Sequence, residues 1–300
     1  MSEASTPAPA ARASIYDLGY RSYDGVRLGR QYAALSLFAY SFRAIFGLGR
    51  SAWAKVFPIG LAIVASVPAF VLLGVAAIAP DQFEFAKPEE YFGFISIVLG
   101  LFCAVAAPEL IGRDQRHHTL ALYFSRALSR VDYLGAKLAA IALALLIVTV
   151  TPQILLLTGN AVATTSLTNY LKDNADLLLP VVGSSMLVAA FMGSVSLAIA
   201  VQTSRRAFAT GAVIATFVIL TAIGGILADT LTGSLRHYSL LISPFGLLEG
   251  AVYYIFNAPP KFDSNLDHAG LNGVWYVVAA LVYTAIAVGV LYRKMQRLAV

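Results

Sequence analysis

The chain has 300 residues, of which 59% are hydrophobic and 12% charged, with a mean hydropathy of +0.75. A soluble domain carries about 25% charged residues, so this composition excludes an ordinary soluble enzyme or binding domain. The net charge of +5 is accounted for by membrane topology and anionic lipid, and calls for no nucleic acid.

The first 14 residues are mostly Ala, Pro and Ser with no apolar core, which predicts a disordered tail rather than a cleavable signal. Residues 15–30, IYDLGYRSYDGVRLGR, alternate Tyr, Arg and Gly and predict an ordered loop. Over residues 31–55, Tyr32, Leu35, Phe38, Phe42 and Ile45 follow a helical stripe, while Ser36, Arg43 and Arg50 fall on another face. That pattern reads as an amphipathic helix lying at the membrane surface, or as an ordinary buried helix.

Six apolar runs follow, at 56–79, 92–111, 133–157, 177–201, 207–228 and 274–292. Each approaches or exceeds the roughly 20 residues a helix needs to cross the hydrocarbon core. Helix is the predicted form, because every backbone group must be satisfied inside lipid. A seventh apolar run, 240–256, is interrupted by Pro244, Gly246, Glu249 and Gly250. With six spans and both ends on one side, that side holds 17 basic and 6 acidic residues, net +11. The other side holds 4 basic and 10 acidic residues, net −6. A seventh crossing would move Arg293, Lys294 and Arg297 to the acidic side, so the positive-inside rule favours six spans with both termini cytoplasmic. The run at 240–256 is then expected to enter the outer leaflet partway or to lie along it. The predicted fold class is an all-α membrane protein in the plasma or inner membrane.

The loop between the second and third spans, GRDQRHHTLALYFSRALSRVDY, sets Leu120, Leu122, Tyr123, Phe124 and Leu128 beside four arginines. Such a mixture reads as a docking surface for a cytosolic partner, or as a stretch resting on lipid. Just before it, Pro108 and Glu109 close the second span, and Arg113 stands four residues beyond Glu109. This reads as a helix-end ion pair or as a kinked hinge at the membrane surface. Lys137 is expected to snorkel to the same surface, and Ser129 or Asp132 to cap the third span.

Chemistry-bearing motifs are few. There is no G-x-x-x-x-G-K-[ST], G-x-S-x-G or H-E-x-x-H, so no P-loop, serine-hydrolase or zinc-protease chemistry is indicated. The single cysteine, Cys103, cannot form an intrachain disulfide. Asp114, His117 and His118 are the nearest approach to a metal cluster but supply too few ligands for a closed site, and no metal is expected. Mid-span polar residues are limited to Gln153 and a few serines, Ser184, Ser185, Ser194 and Ser196, which commonly hold helices together. Without a buried acid–base relay the chain is a poor proton-driven carrier or intramembrane enzyme, so its energy source is expected in a partner. In the fifth span, Ala207, Gly211 and Ala215 recur at four-residue spacing, a pattern that packs helices within one subunit or between subunits.

Glu109, then Arg113 and Asp114, then Thr119-Leu120-Ala121-Leu122, then Ser125-Arg126-Ala127-Leu128-Ser129-Arg130, with Tyr133 and Lys137 beyond, resembles the permease subunits of ABC-2 type ATP-binding cassette exporters. In that family an acidic residue closes the second helix, followed by Gly-Thr-Leu, a Ser-x-Pro-hydrophobic-Ser-Arg stretch, and Gly-Lys opening the third. Here His118 replaces the Gly, Ala127 replaces the Pro, and Ala136 separates Gly135 from Lys137.

The resemblance implies an elbow helix at 31–55 carrying Leu35, Phe38, Phe42 and Ile45, after a tail and loop at 1–30. It implies a six-helix transmembrane domain at 56–300, with a coupling loop at 112–132 and a re-entrant extracellular segment at 229–273. The coupling loop would dock an ATPase through His117, His118, Thr119, Leu120, Tyr123 and Phe124. Two permeases, as a homo- or heterodimer, would pair with two separate cytosolic ATPase subunits, which bind the ATP and Mg, and no cofactor is expected in this chain. The fifth span would face the second permease. The function implied is an ATP-driven exporter; the alternatives are a non-transporting structural or regulatory membrane subunit, or a secondary carrier.

Overall fold

The computed structural model describes residues 25, 28–78, 87–117, 119–125, 128–163, 174–262 and 264–298. The N-terminal tail, most of the loop after the first span, the loop after the third, and His118, Arg126, Ala127 and Asp263 lie outside the described residues. All regular structure among the described residues is helical.

Six helices are long and apolar enough to cross a membrane, and they coincide with the six runs read from the sequence. They are α2 (Ala52–Ile78), α3 (Pro88–Ala107), α6 (Arg130–Ala163), α7 (Leu178–Ala200), α8 (Arg206–Thr230) and α12 (Gly273–Leu298). α3 runs on through a π-helical turn, Pro108–Gly112, into the short α4 (Arg113–Arg116). The shortest apolar span, Ala52–Val75, has 24 residues, or about 36 Å of helix against a core of about 30 Å.

The second span is the hub. Of its most apolar stretch 72% is buried, against 17% for the first span and 22% each for the fifth and sixth. Tyr91, Ile95, Leu99, Phe102 and Cys103 are all within the core, packed among α2, α6, α7 and α8. Phe57, Ile63 and Phe70 on α2, Ile219 and Ile226 on α8, and Leu281 and Ile286 on α12 point outward. Outward-facing apolar surface on peripheral helices is what a lipid solvent favours.

Ahead of the spans lies α1 (Gly29–Ile45), which packs along α6. The amphipathic helix expected at 31–55 is therefore two pieces. Gly47 takes a left-handed φ of +64°, and a Cβ there would fall 2.5 Å from the Ala54 carbonyl oxygen. The chain turns at that glycine, and residues 52–55 open the first span.

Between the fifth and sixth spans the chain folds back on itself. α9 (Ser234–Tyr238) and a 3-10 turn, Ser239–Leu241, lead into α10 (Pro244–Ile255) at an angle of 98°. Pro244 occupies the first turn of α10, and the Ser243 hydroxyl accepts from the Gly246 N–H at 2.9 Å, so α10 has a strong start signal. The turn presses on Gly224, where a Cβ would lie 2.6 Å from that of Ser243. Phe245 stacks on Phe217 with ring centroids 5.6 Å apart and planes at 7°. Phe217 is about 20 Å of helix short of Thr230, so Phe245 meets α8 about halfway along its length. The short α11 (Asn265–Ala269) then leads to α12.

Candidate functional site

Both described ends of the chain, α1 and the end of α12, lie at one end of the bundle, and the ion pairs concentrate there. Proline 108 has no N–H to donate, so the α-helical ladder cannot run through it unchanged. The backbone changes to π geometry over Pro108–Gly112, a form that recurs at functional sites.

Glu109 sits on this turn and is only 7% exposed. Its carboxylate is hydrogen-bonded by the Arg50 guanidinium. Arg113 Nη1 lies 3.6 Å from Oε1, and Arg206 Nη1 3.6 Å from Oε2. The three arginines come from the α1–α2 turn, the second span itself and the first residue of the fifth span. One carboxylate thus joins three elements; the expected pair with Arg113 is formed, and Pro108 opens a π-helical turn.

One turn further, the Asp114 carboxylate accepts from the Tyr133 hydroxyl at 2.7 Å and pairs with Lys137 Nζ at 2.8 Å. Lys137 is 1% exposed, so it does not snorkel as expected. It turns inward because a buried carboxylate from the neighbouring span is within reach of its ammonium. Asp114 is thereby engaged by a lysine and a tyrosine. Among the described residues no cluster of three His, Cys, Asp or Glu could hold a metal.

This pair supports the loop that follows. The Thr119 N–H donates to the Asp114 carbonyl at 3.1 Å and starts α5 (Leu120–Phe124). Tyr123 and Phe124 pack their rings on Tyr133, each with centroids 5.8 Å away, and Arg130 stands 6.0 Å over Phe124. Burial, with the Asp114 charge second, pushes the Tyr123 phenol up. Leu120 is 6% exposed and belongs to the core, whereas Leu122 is 67% exposed. His117 is exposed at the end of α4. Gln115 Nε2 donates to the Val201 carbonyl at 3.0 Å, tying α4 to the end of α7.

α6 begins with reciprocal caps. The Asp132 N–H donates to Ser129 Oγ at 3.2 Å and the Ser129 N–H to Asp132 Oδ2 at 2.9 Å. Both sequence candidates for the cap therefore act together, in capping-box fashion. Arg30 grips the same Asp132 with two bonds, at 2.6 and 3.0 Å, and so fastens the start of α1. Further along α1, Ile45 is buried, Phe38 and Phe42 are half-buried and Leu35 is exposed. Phe42 contacts Phe46 at 5.3 Å and Phe46 contacts Phe102 at 5.9 Å, an aromatic run joining α1 to the second span.

In the fifth span Ala207 and Gly211 are exposed and Ala215 is half-buried. Nothing lies within 4 Å of a Cβ built on Gly211. The mid-span Gln153 reaches across to Ser185 Oγ at 3.4 Å, while Ser184, Ser194 and Ser196 bond carbonyls of their own helix.

Sequence reasoning missed Arg50 and Arg206 as partners of Glu109, and the pairing of Lys137 with Asp114. Tyr133 and Lys137, four residues apart, share one helix face; that spacing was the available signal for a polar site inside an apolar run.

No curated protein matches the chain. Residues 17–297 match the family described as "ABC-2 family transporter protein". The match takes in α1, all six spans, the α4–α5 loop and the fold-back before the sixth span. The chain therefore belongs to the ABC-2 transporter family, as a multi-pass membrane permease of an ATP-binding cassette transporter that works with an ATPase component.

Proposed function

We propose that this chain is the permease of an ATP-driven exporter, paired with a second permease and served by two ATPase subunits that bind the ATP and Mg. The observation that carries the reading is the placement of α5. It is a short helix braced from below by Tyr133, Asp114 and Lys137, with Leu122 turned outward between basic flanks. That is the form of a coupling helix, with an apolar anchor on a rigid mount. The end of the bundle that carries it is the cytoplasmic side, in keeping with the 17 basic residues that a six-span topology assigns to that side. α1 is then the elbow helix, and α9–α10 is the re-entrant segment on the outer side.

Closure of the ATPases on ATP would push α5 and, through Asp114, move α4 and the π-helical turn. Glu109 lies at that turn with arginines from the α1–α2 turn and the fifth span, so displacement there exchanges contacts among three elements. Differential contacts of this kind are what bias a two-state membrane path. The open stripe Ala207, Gly211 and Ala215 faces the second permease, where small residues allow close approach.

Reconstitution with its ATPase should give ATP turnover that rises in the presence of this chain. An ATPase that neither binds the chain nor responds to it would contradict the reading.

A further inference from the structure

At the opposite end of the bundle, a cavity of about 410 Å³ lies between α3, α8 and the α9–α11 region. Phe92, Ile97, Val218 and Phe245 give it apolar walls. Its hydroxyls are already engaged. Ser96 Oγ donates to the Gly93 carbonyl at 3.1 Å, and Thr221 Oγ1 accepts from the Phe245 N–H at 3.4 Å. Ser243 and Ser264 cap α10 and α11.

Glu249 is different. It lines the same cavity and is half-buried, yet among the described residues its carboxylate has no hydrogen-bond or ion-pair partner. Lys261, whose charge reaches it, is bound to Glu90 at 3.1 Å. Among the residues that line the cavity, Glu249 is the only charged one. Glu249 Oε1 lies against Gly93, where a Cβ would sit 3.8 Å away in ordinary contact.

A carboxylate partly withdrawn from water and left unpaired carries a cost, and a cation that reaches it recovers some of that cost. Aromatic walls add attraction for a cation, and the cavity volume falls in the range of small-molecule sites. We propose that this cavity binds an amphipathic organic cation, with its ammonium paired to Glu249 and its apolar body against Phe92 and Phe245. The assignment goes beyond the transport reading, and the binding itself does not depend on it.

The test uses the full chain in lipid nanodiscs and the fluorescent primary amine dansylcadaverine, with its neutral N-acetyl derivative as control. The chain should bind the amine at least about tenfold more tightly than the acetylated form, the scale of one charge-assisted contact. Glu249→Gln should remove that preference while leaving the acetylated form unchanged. Ala222 lines the same cavity and is exposed, so Ala222→Trp should fold normally and weaken the amine by occlusion. Equal affinity for the two probes, unaltered amine binding in either variant, or signal matched by empty nanodiscs would overturn the site. The assay contains no ATPase, so failed binding overturns this site alone, while failed ATP-driven transport leaves it standing.

Discussion

Lys137 and Tyr133, one turn apart on the third span, both reach the same oxygen of Asp114, at 2.8 and 2.7 Å. The pair is closed off from solvent and lies directly beneath α5, so the mount of the proposed coupling helix is an ion pair inside the core.

Removing one member of such a pair strands the other. Lys137→Met should destabilise the protein by about 3–5 kcal/mol, lowering the apparent melting temperature in detergent. Adding Asp114→Asn to it should recover much of the loss. Equal melting of the single and double variants would show that the pair does not act as a unit.

Leu120 and Leu122 separate packing from docking. Leu120→Asp places a charge in the core and should abolish monodisperse protein. Leu122→Asp should leave folding intact and weaken ATPase co-purification by about 2 kcal/mol, the scale of an apolar anchor at an interface. Undiminished co-purification with Leu122→Asp would move the docking face elsewhere.

The three-arginine set around Glu109 should matter for coupling more than for assembly. Glu109→Gln keeps a hydrogen-bonding group but loses the charge that gathers Arg50, Arg113 and Arg206. ATPase co-purification should persist while ATP-driven transport falls about tenfold, as for loss of a charge-assisted bond. Transport at the wild-type rate in this variant would remove Glu109 from the coupling route.

Two glycines of the fifth span should behave oppositely. Gly211→Leu meets open space and should insert and fold normally, yet reduce crosslinked permease dimer and transport. Gly224→Leu collides with Ser243 and should destabilise the folded chain itself. Normal dimer and normal transport in Gly211→Leu would place the subunit interface on another helix.

The spans were legible because apolar runs near 20 residues have few other uses, and the break before α10 was legible because Pro244 interrupts such a run. The end of α1 was not, since the stripe through Ile45 continues in composition while Gly47 turns the backbone. Glu109 and Arg113 were readable as an i,i+4 pair. Arg50 and Arg206 were not, because they stand 59 and 97 residues from Glu109 and meet it only through packing. Lys137 near the start of an apolar helix looked like a snorkelling residue, since nothing local announces that Asp114 will face it across two spans. Leu120 and Leu122 have the same composition and opposite exposure. In a five-residue helix the direction is set by Tyr133 beneath it, not by any period in the segment.

The most direct test of the account places a photo-reactive amino acid at position 122 and crosslinks in membranes from cells that also make the ATPase. A crosslink to a subunit carrying a P-loop, altered in yield by ATP, is expected, and none from the same group placed at position 261 on the opposite end. Crosslinks to a P-loop subunit from position 261 but not from 122 would contradict it.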